Sequence, residues 1–201
     1  MSDTYYVKTF GGLEITNDNV TVNIVELFGK QLVNLLQVLL FHSEKPVQKD
    51  ELIDILWPES KNPSSALKFS IFRLRAELNE IEFFKDKEVI VTTRKGYILN
   101  PNLDWNIDFV ELEKAYNQIN DGSELLDEKE FKTARKIFRL YQGRFYASPS
   151  QLHWILQKQE IFRQMYVKTM MRTSCYLYTQ KRYDCLFIHI SEPTRRYAIS
   201  Y

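Results

Sequence analysis

At 201 residues, 44% apolar and 26% charged, the chain is long enough for one large or two small packed domains, and too apolar for disorder to be the default. Its net charge of +1 provides no broad cationic field of the kind that marks general nucleic-acid or membrane-surface binders. No run nears the roughly 18 apolar residues of a bilayer span. The N-terminus lacks a signal peptide's basic start and apolar stretch, and cysteine occurs only at Cys175 and Cys185; together these predict a reduced, cytoplasmic protein.

Tyr5 to Val25 reads as a small antiparallel sheet. Strand-like Tyr6–Phe10, Leu13–Thr16 and Val20–Ile24 are separated by Gly11-Gly12 and by Asn17-Asp18-Asn19, the composition of tight turns. Helical spacing follows over Lys30–Phe41, with Leu32, Leu35, Leu36, Leu39 and Leu40 on one face. A second helix opens on Asp50-Glu51, whose charges suit a helix N-terminus, and Pro58 stops it after Leu56-Trp57. Ser64 or Ser65 is expected to cap a third helix running to about Glu80. Glu88–Thr92 and Tyr97–Leu99 then flank Thr93-Arg94-Lys95-Gly96, a basic hairpin tip. Pro101–Asp104 is the predicted boundary, dividing the chain at 103/104. From Trp105 onward the pattern is helical: Phe109–Ile119, Glu128–Leu140, Gln151–Tyr178, and a last helix starting near Tyr183. Trp154, Phe162, Met165, Tyr166 and Tyr176 recur at helical spacing and are expected mainly as core.

Three helices followed by a hairpin is the layout of a winged helix-turn-helix. At about 100° per residue, Leu67, Ile71, Leu74 and Leu78 of the third helix form a buried stripe. The opposite face carries Ser65, Phe69, Phe72, Arg73 and Ala76, flanked by Lys68 and Arg75. Cations and Ser can meet phosphates or base edges, and the exposed Phe pair suits thymine methyls, further core, or a protein contact. Taken alone, three cations on one helix are better explained by a solvated face; the basic tip at Arg94-Lys95, placed where a wing would meet an adjacent groove, raises DNA binding above that reading. Residues 1–103 hold 12 Lys/Arg against 14 Asp/Glu, a net −2, so any DNA contact rests on local placement of few cations.

The chain resembles a known combination of families. Val47-Gln48-Lys49-Asp50-Glu51-Leu52, Leu56-Trp57, Arg73-Leu74-Arg75 and Gly96-Tyr97 are similar to the OmpR-type winged helix. Trp105-Asn106-Ile107-Asp108-Phe109, Leu140-Tyr141-Gln142-Gly143-Arg144-Phe145, Trp154 and Tyr176–Tyr183 resemble the bacterial transcriptional activator domain, as in the antibiotic-regulatory-protein class and in response regulators with the same output half. The resemblance implies an α+β winged helix with an N-terminal sheet, followed by an all-α, tetratricopeptide-like domain. It implies a sequence-specific bacterial regulator of double-stranded DNA whose helical half dimerises or contacts RNA polymerase or another regulator. It assigns the major groove to Ser65, Lys68, Phe69, Phe72 and Arg73, a DNA-backbone contact to Arg75, and the wing contacts to Thr93, Arg94 and Lys95. Phe72 departs from the polar or basic residue usual there. Chain end at Tyr201 implies a shortened module or a piece of a longer protein, and Leu186, Phe187 and Ile190 a self-associating last helix.

Catalytic chemistry has no candidate. There is no glycine-rich phosphate loop and no metal-ligand spacing, and His42, His153 and His189 fall in separate elements, so neither enzyme activity nor a cofactor nor a metal is expected. A redox pair of Cys175 and Cys185 is a minor reading. The rival function is a winged-helix interaction module without DNA binding, motivated by the −2 charge and the outward Phe pair.

Overall fold

The computed structural model describes residues 4–119, 126–147 and 152–181. Its elements, in chain order, are β1 (Thr4–Lys8), β2 (Glu14–Asn17), β3 (Val20–Asn23), α1 (Ile24–Leu27), α2 (Lys30–Phe41), α3 (Lys49–Leu56), α4 (Pro63–Asn79), a 3-10 turn (Glu82–Phe84), β4 (Ile90–Thr92), β5 (Tyr97–Leu99), β6 (Asp104–Ile107), α5 (Asp108–Ile119), α6 (Glu128–Leu140) and α7 (His153–Thr179). They fall into two compact units.

The first unit holds Leu13–Asn106 with residues 4–7. Its sheet has the order β3-β2-β1-β6. β2 and β3 pair antiparallel from Glu14↔Asn23 to Asn17↔Val20, and the intervening turn places Asp18 at φ +50°, a left-handed conformation that Asp tolerates. β1 alternates, burying Tyr5 and Val7. Among the helices of this unit, α2 is buried almost all round, α3 buries Leu52 and Leu56, and α4 buries Leu67, Ile71, Leu74 and Leu78, the stripe predicted from spacing. The three helices pack mutually.

Two local elements differ from what their sequence predicts. Neither Ser64 nor Ser65 caps α4: Asn62 is the N-cap residue and Pro63 the first helical position, where proline's fixed φ and missing N–H cost nothing. Trp105 is not helical. Asp104–Ile107 adds a fourth strand to the sheet, and the Trp105 indole donates to the Asn100 carbonyl at 3.0 Å while its ring lies 5.3 Å from Tyr5. A half-buried aromatic ring packed on Tyr5, with its N–H satisfied, holds that segment as strand despite helical text on its C-terminal side.

The second unit holds, among the described residues, Lys8–Gly12, 107–119, 126–147 and 153–181. Thr9 and Phe10, expected as the end of a strand, lie beyond β1, and Lys8–Gly12 groups with the helical unit. Phe10 bridges Phe145 and packs edge-on to Phe162 at 5.3 Å. The Asp108 carboxylate receives Thr9 N–H at 2.8 Å, Phe10 N–H at 3.2 Å and the Thr9 hydroxyl. α5 packs on α6 and α6 on α7. A capping box, Asp127 with Glu130, starts α6. Of the expected core residues in α7, Phe162 is buried, whereas Trp154, Met165, Tyr166 and Tyr176 are half-buried. The expected helix near Tyr183, with Cys185, Leu186, Phe187, His189 and Ile190, lies outside the described residues.

Candidate nucleic-acid interface

Burial of the α4 stripe fixes the rotation of that helix about its axis, and the opposite face is therefore outward. Ser65, Lys68, Phe69, Phe72 and Arg73 all lie exposed there. Phe69 and Phe72 are 61% and 70% exposed, an unusual cost in water for two phenyl rings unless something covers them. Arg73 Nη2 donates to Glu77 Oε1 at 3.1 Å, one turn along the same helix. Such an exposed pair stabilises by only about 0.3–0.5 kcal/mol, so a phosphate or a guanine edge displaces it readily.

The wing is built beside this face. β4 and β5 pair from Ile90↔Leu99 to Thr92↔Tyr97, closing through Arg94-Lys95, with Thr93 N–H donating to the Gly96 carbonyl at 2.8 Å. Arg94 and Lys95 are exposed at the tip. Thr93 is half-buried, and its hydroxyl accepts from the N–H groups of Lys95 and Gly96, each at 3.2 Å, so its side chain shapes the turn.

Arg75 ties helix to wing. Its Nε and Nη2 donate to the Ile90 carbonyl at 3.1 and 2.8 Å, and Nη2 also donates to Thr92 Oγ1 at 2.9 Å. The residue assigned by resemblance to a DNA-backbone contact is only part-exposed and has this structural role as well. The base of the wing is fixed by Val47, which exchanges backbone hydrogen bonds with Tyr97 at 2.8 and 3.0 Å. Gly96 makes that approach possible: it sits at φ +151°, and a Cβ there would stand 1.8 Å from the Val47 carbonyl oxygen. The Gly96-Tyr97 motif therefore has a steric reason.

Sequence reasoning missed Glu77's hold on Arg73, although a carboxylate four residues after an arginine is a readable helical pair. It also missed an open groove of about 330 Å³ between α4 and the segment that leads into β4, lined by Phe72, Ala76 and Val89. The described residues contain no cluster of His, Cys, Asp or Glu suited to a metal ion, and no helix long and apolar enough to cross a membrane.

The first unit has the fold of a winged helix-turn-helix with an N-terminal sheet. Residues 25–99 match the family described as "Transcriptional regulatory protein, C terminal", a regulatory rather than a catalytic family. Among solved structures, Mycobacterium tuberculosis EmbR, in complex with a low-affinity phosphopeptide, is similar over 98% of this chain and 51% of its own, with a TM-score of 0.68 and 15% identity. The chain thus spans about half the length of that protein and shares its fold. The DNA-binding domain of E. coli CadC is 25% identical over 47% of this chain and 88% of its own, with a TM-score of 0.36. No curated protein matches the sequence.

Proposed function

We propose that the protein is a sequence-specific, DNA-binding transcriptional regulator. The carrying observation is a single outward face of α4 bearing Ser65, Lys68, Phe69, Phe72 and Arg73, tied through Arg75 to a wing whose tip is Arg94-Lys95. α4 enters the major groove, where Arg73 and Lys68 meet base edges or phosphates and the Phe pair meets thymine methyls. Arg94 and Lys95 reach phosphates of the adjacent groove. The division of labour follows the 103/104 boundary: residues 1–103 bind DNA, and the helical part mediates dimerisation or contact with RNA polymerase or another regulator, in the bacterial cytoplasm.

Fluorescence anisotropy against the chain's own upstream DNA and a scrambled duplex, at about 50 and 200 mM salt, tests this reading. Preference for the upstream DNA that survives the higher salt is expected. Equal, salt-erased binding to both contradicts it. The second reading, a winged-helix interaction module without DNA binding, is favoured by the net −2 of residues 1–103 and the exposed Phe pair; no DNA binding at either salt selects it.

A further inference from the structure

Away from the outward face of α4, the first unit carries an apolar groove of about 360 Å³ between β3, α1 and the segment that follows α4. Val20 and Leu27 stand at it 51% and 59% exposed, over a floor that includes the buried Ile81. Glu77, Glu80 and Glu82 line it too, and among the described residues no Lys or Arg does. Three carboxylates repel phosphate, so this is not a nucleic-acid surface. An apolar centre with an acidic border has its complement in an amphipathic helix whose apolar residues, spaced i, i+3, i+4 and i+7, are flanked by Lys or Arg.

We propose that this groove docks a basic amphipathic helix of a protein partner, and that Glu77 couples its occupancy to DNA binding. Glu77 serves two places: it lines the groove and accepts from Arg73 on the outward face of α4. A partner cation that captures Glu77 releases Arg73 for DNA. The two ligands then favour each other's binding, by the reciprocity of linked equilibria.

The test uses the full chain and a fluorescein-labelled helical peptide with four Leu at i, i+3, i+4 and i+7 and Lys at the flanks, beside a counterpart with Glu at those flanks. Saturable binding of the Lys peptide alone is expected. It should weaken about tenfold in Leu27→Ser, the loss of one large apolar contact, and about fivefold in Glu80→Lys/Glu82→Lys, the loss of two exposed charge pairs. Both variants alter exposed side chains, and urea titration checks that they fold. No saturable binding, equal binding of the Glu peptide, or binding untouched by both variants overturns the docking site. These measurements contain no DNA, so they stand or fall apart from the function proposed above. The coupling rests on that function: saturating Lys peptide should tighten DNA binding about twofold, and Glu77→Gln should abolish the effect. Peptide binding with unchanged DNA affinity overturns the coupling.

Discussion

Arg73 and Glu77 form an ion pair on the face of α4 proposed to read DNA, with 3.1 Å between Nη2 and Oε1 and both side chains substantially exposed. The carboxylate neutralises one of the few cations there and must release it before Arg73 can contact DNA. Replacing Glu77 by Gln keeps the side chain's size and removes the charge. DNA affinity should rise about two- to fivefold, given a pair worth about 0.3–0.5 kcal/mol plus the removed repulsion from phosphate. Anisotropy titrations of both proteins at matched salt check it; unchanged or weaker binding by Glu77→Gln would show that Arg73 is not the cation that matters.

Arg75 connects α4 to the wing through a fork of hydrogen bonds, to the Ile90 carbonyl and the Thr92 hydroxyl. Lysine keeps the charge but cannot reproduce that fork. Arg75→Lys should lose about 1–3 kcal/mol of stability, the range for hydrogen bonds to a charged group. It should also weaken DNA binding although net charge is unchanged, because the wing tip is no longer held beside α4. Urea unfolding coincident with wild type would remove Arg75 as the tie.

At Gly96 the constraint is steric. A methyl group there would stand 1.8 Å from the Val47 carbonyl oxygen, at a φ that side chains rarely adopt. Gly96→Ala should lower stability by at least about 2 kcal/mol through backbone strain and separation of the Val47–Tyr97 bridge. The expected observation is a lower urea midpoint, with faster amide exchange at Val47 and Tyr97. Wild-type exchange at both amides would contradict it.

In the helical unit, burial pushes the Asp108 carboxyl above its ordinary range, opposed by its hydrogen bonds to Thr9, Phe10 and Phe109. A carboxyl raised in the folded state holds its proton more tightly there than in the unfolded chain. Its contribution to stability is therefore fully present below the unfolded pKa and is lost as pH rises through the folded value. Asp108→Asn retains an acceptor for Thr9 N–H and Phe10 N–H, which share one carboxylate oxygen, and has no charge to desolvate. Wild type should thus lose stability relative to Asp108→Asn as pH rises from below the unfolded carboxyl's value of about 3.9 to above the folded one, whereas Asp108→Ala should be less stable than Asp108→Asn throughout. Paired melting curves across that range check both; parallel pH profiles for wild type and Asp108→Asn would contradict the shift.

Much of this fold was readable from spacing. The leucine runs of α2 and α4, the acidic start of α3 and the basic hairpin tip each follow local rules, and Leu67, Ile71, Leu74 and Leu78 are buried as their period requires. What escaped depends on distant partners. β6 forms because Trp105 finds Tyr5 and Asn100, and Lys8–Gly12 joins the helical unit because Asp108 takes its backbone N–H groups. Neither relation leaves a periodic trace. In the candidate site, the outward residues of α4 were legible as a face. The commitment of Arg75 to the wing was not, since nothing local distinguishes an arginine that binds a carbonyl from one that faces solvent.

On the proposed function, the outward face of α4 reads base sequence while the wing tip contributes only charge. The most direct test compares Lys68→Ala/Arg73→Ala with Arg94→Ala/Lys95→Ala in anisotropy titrations against upstream and scrambled DNA. The first variant should lose about 1–3 kcal/mol for each good base contact and bring the two affinities together. The second should weaken both duplexes alike and flatten the salt dependence. A Lys68→Ala/Arg73→Ala protein that still prefers the upstream DNA by the wild-type ratio would contradict the claim.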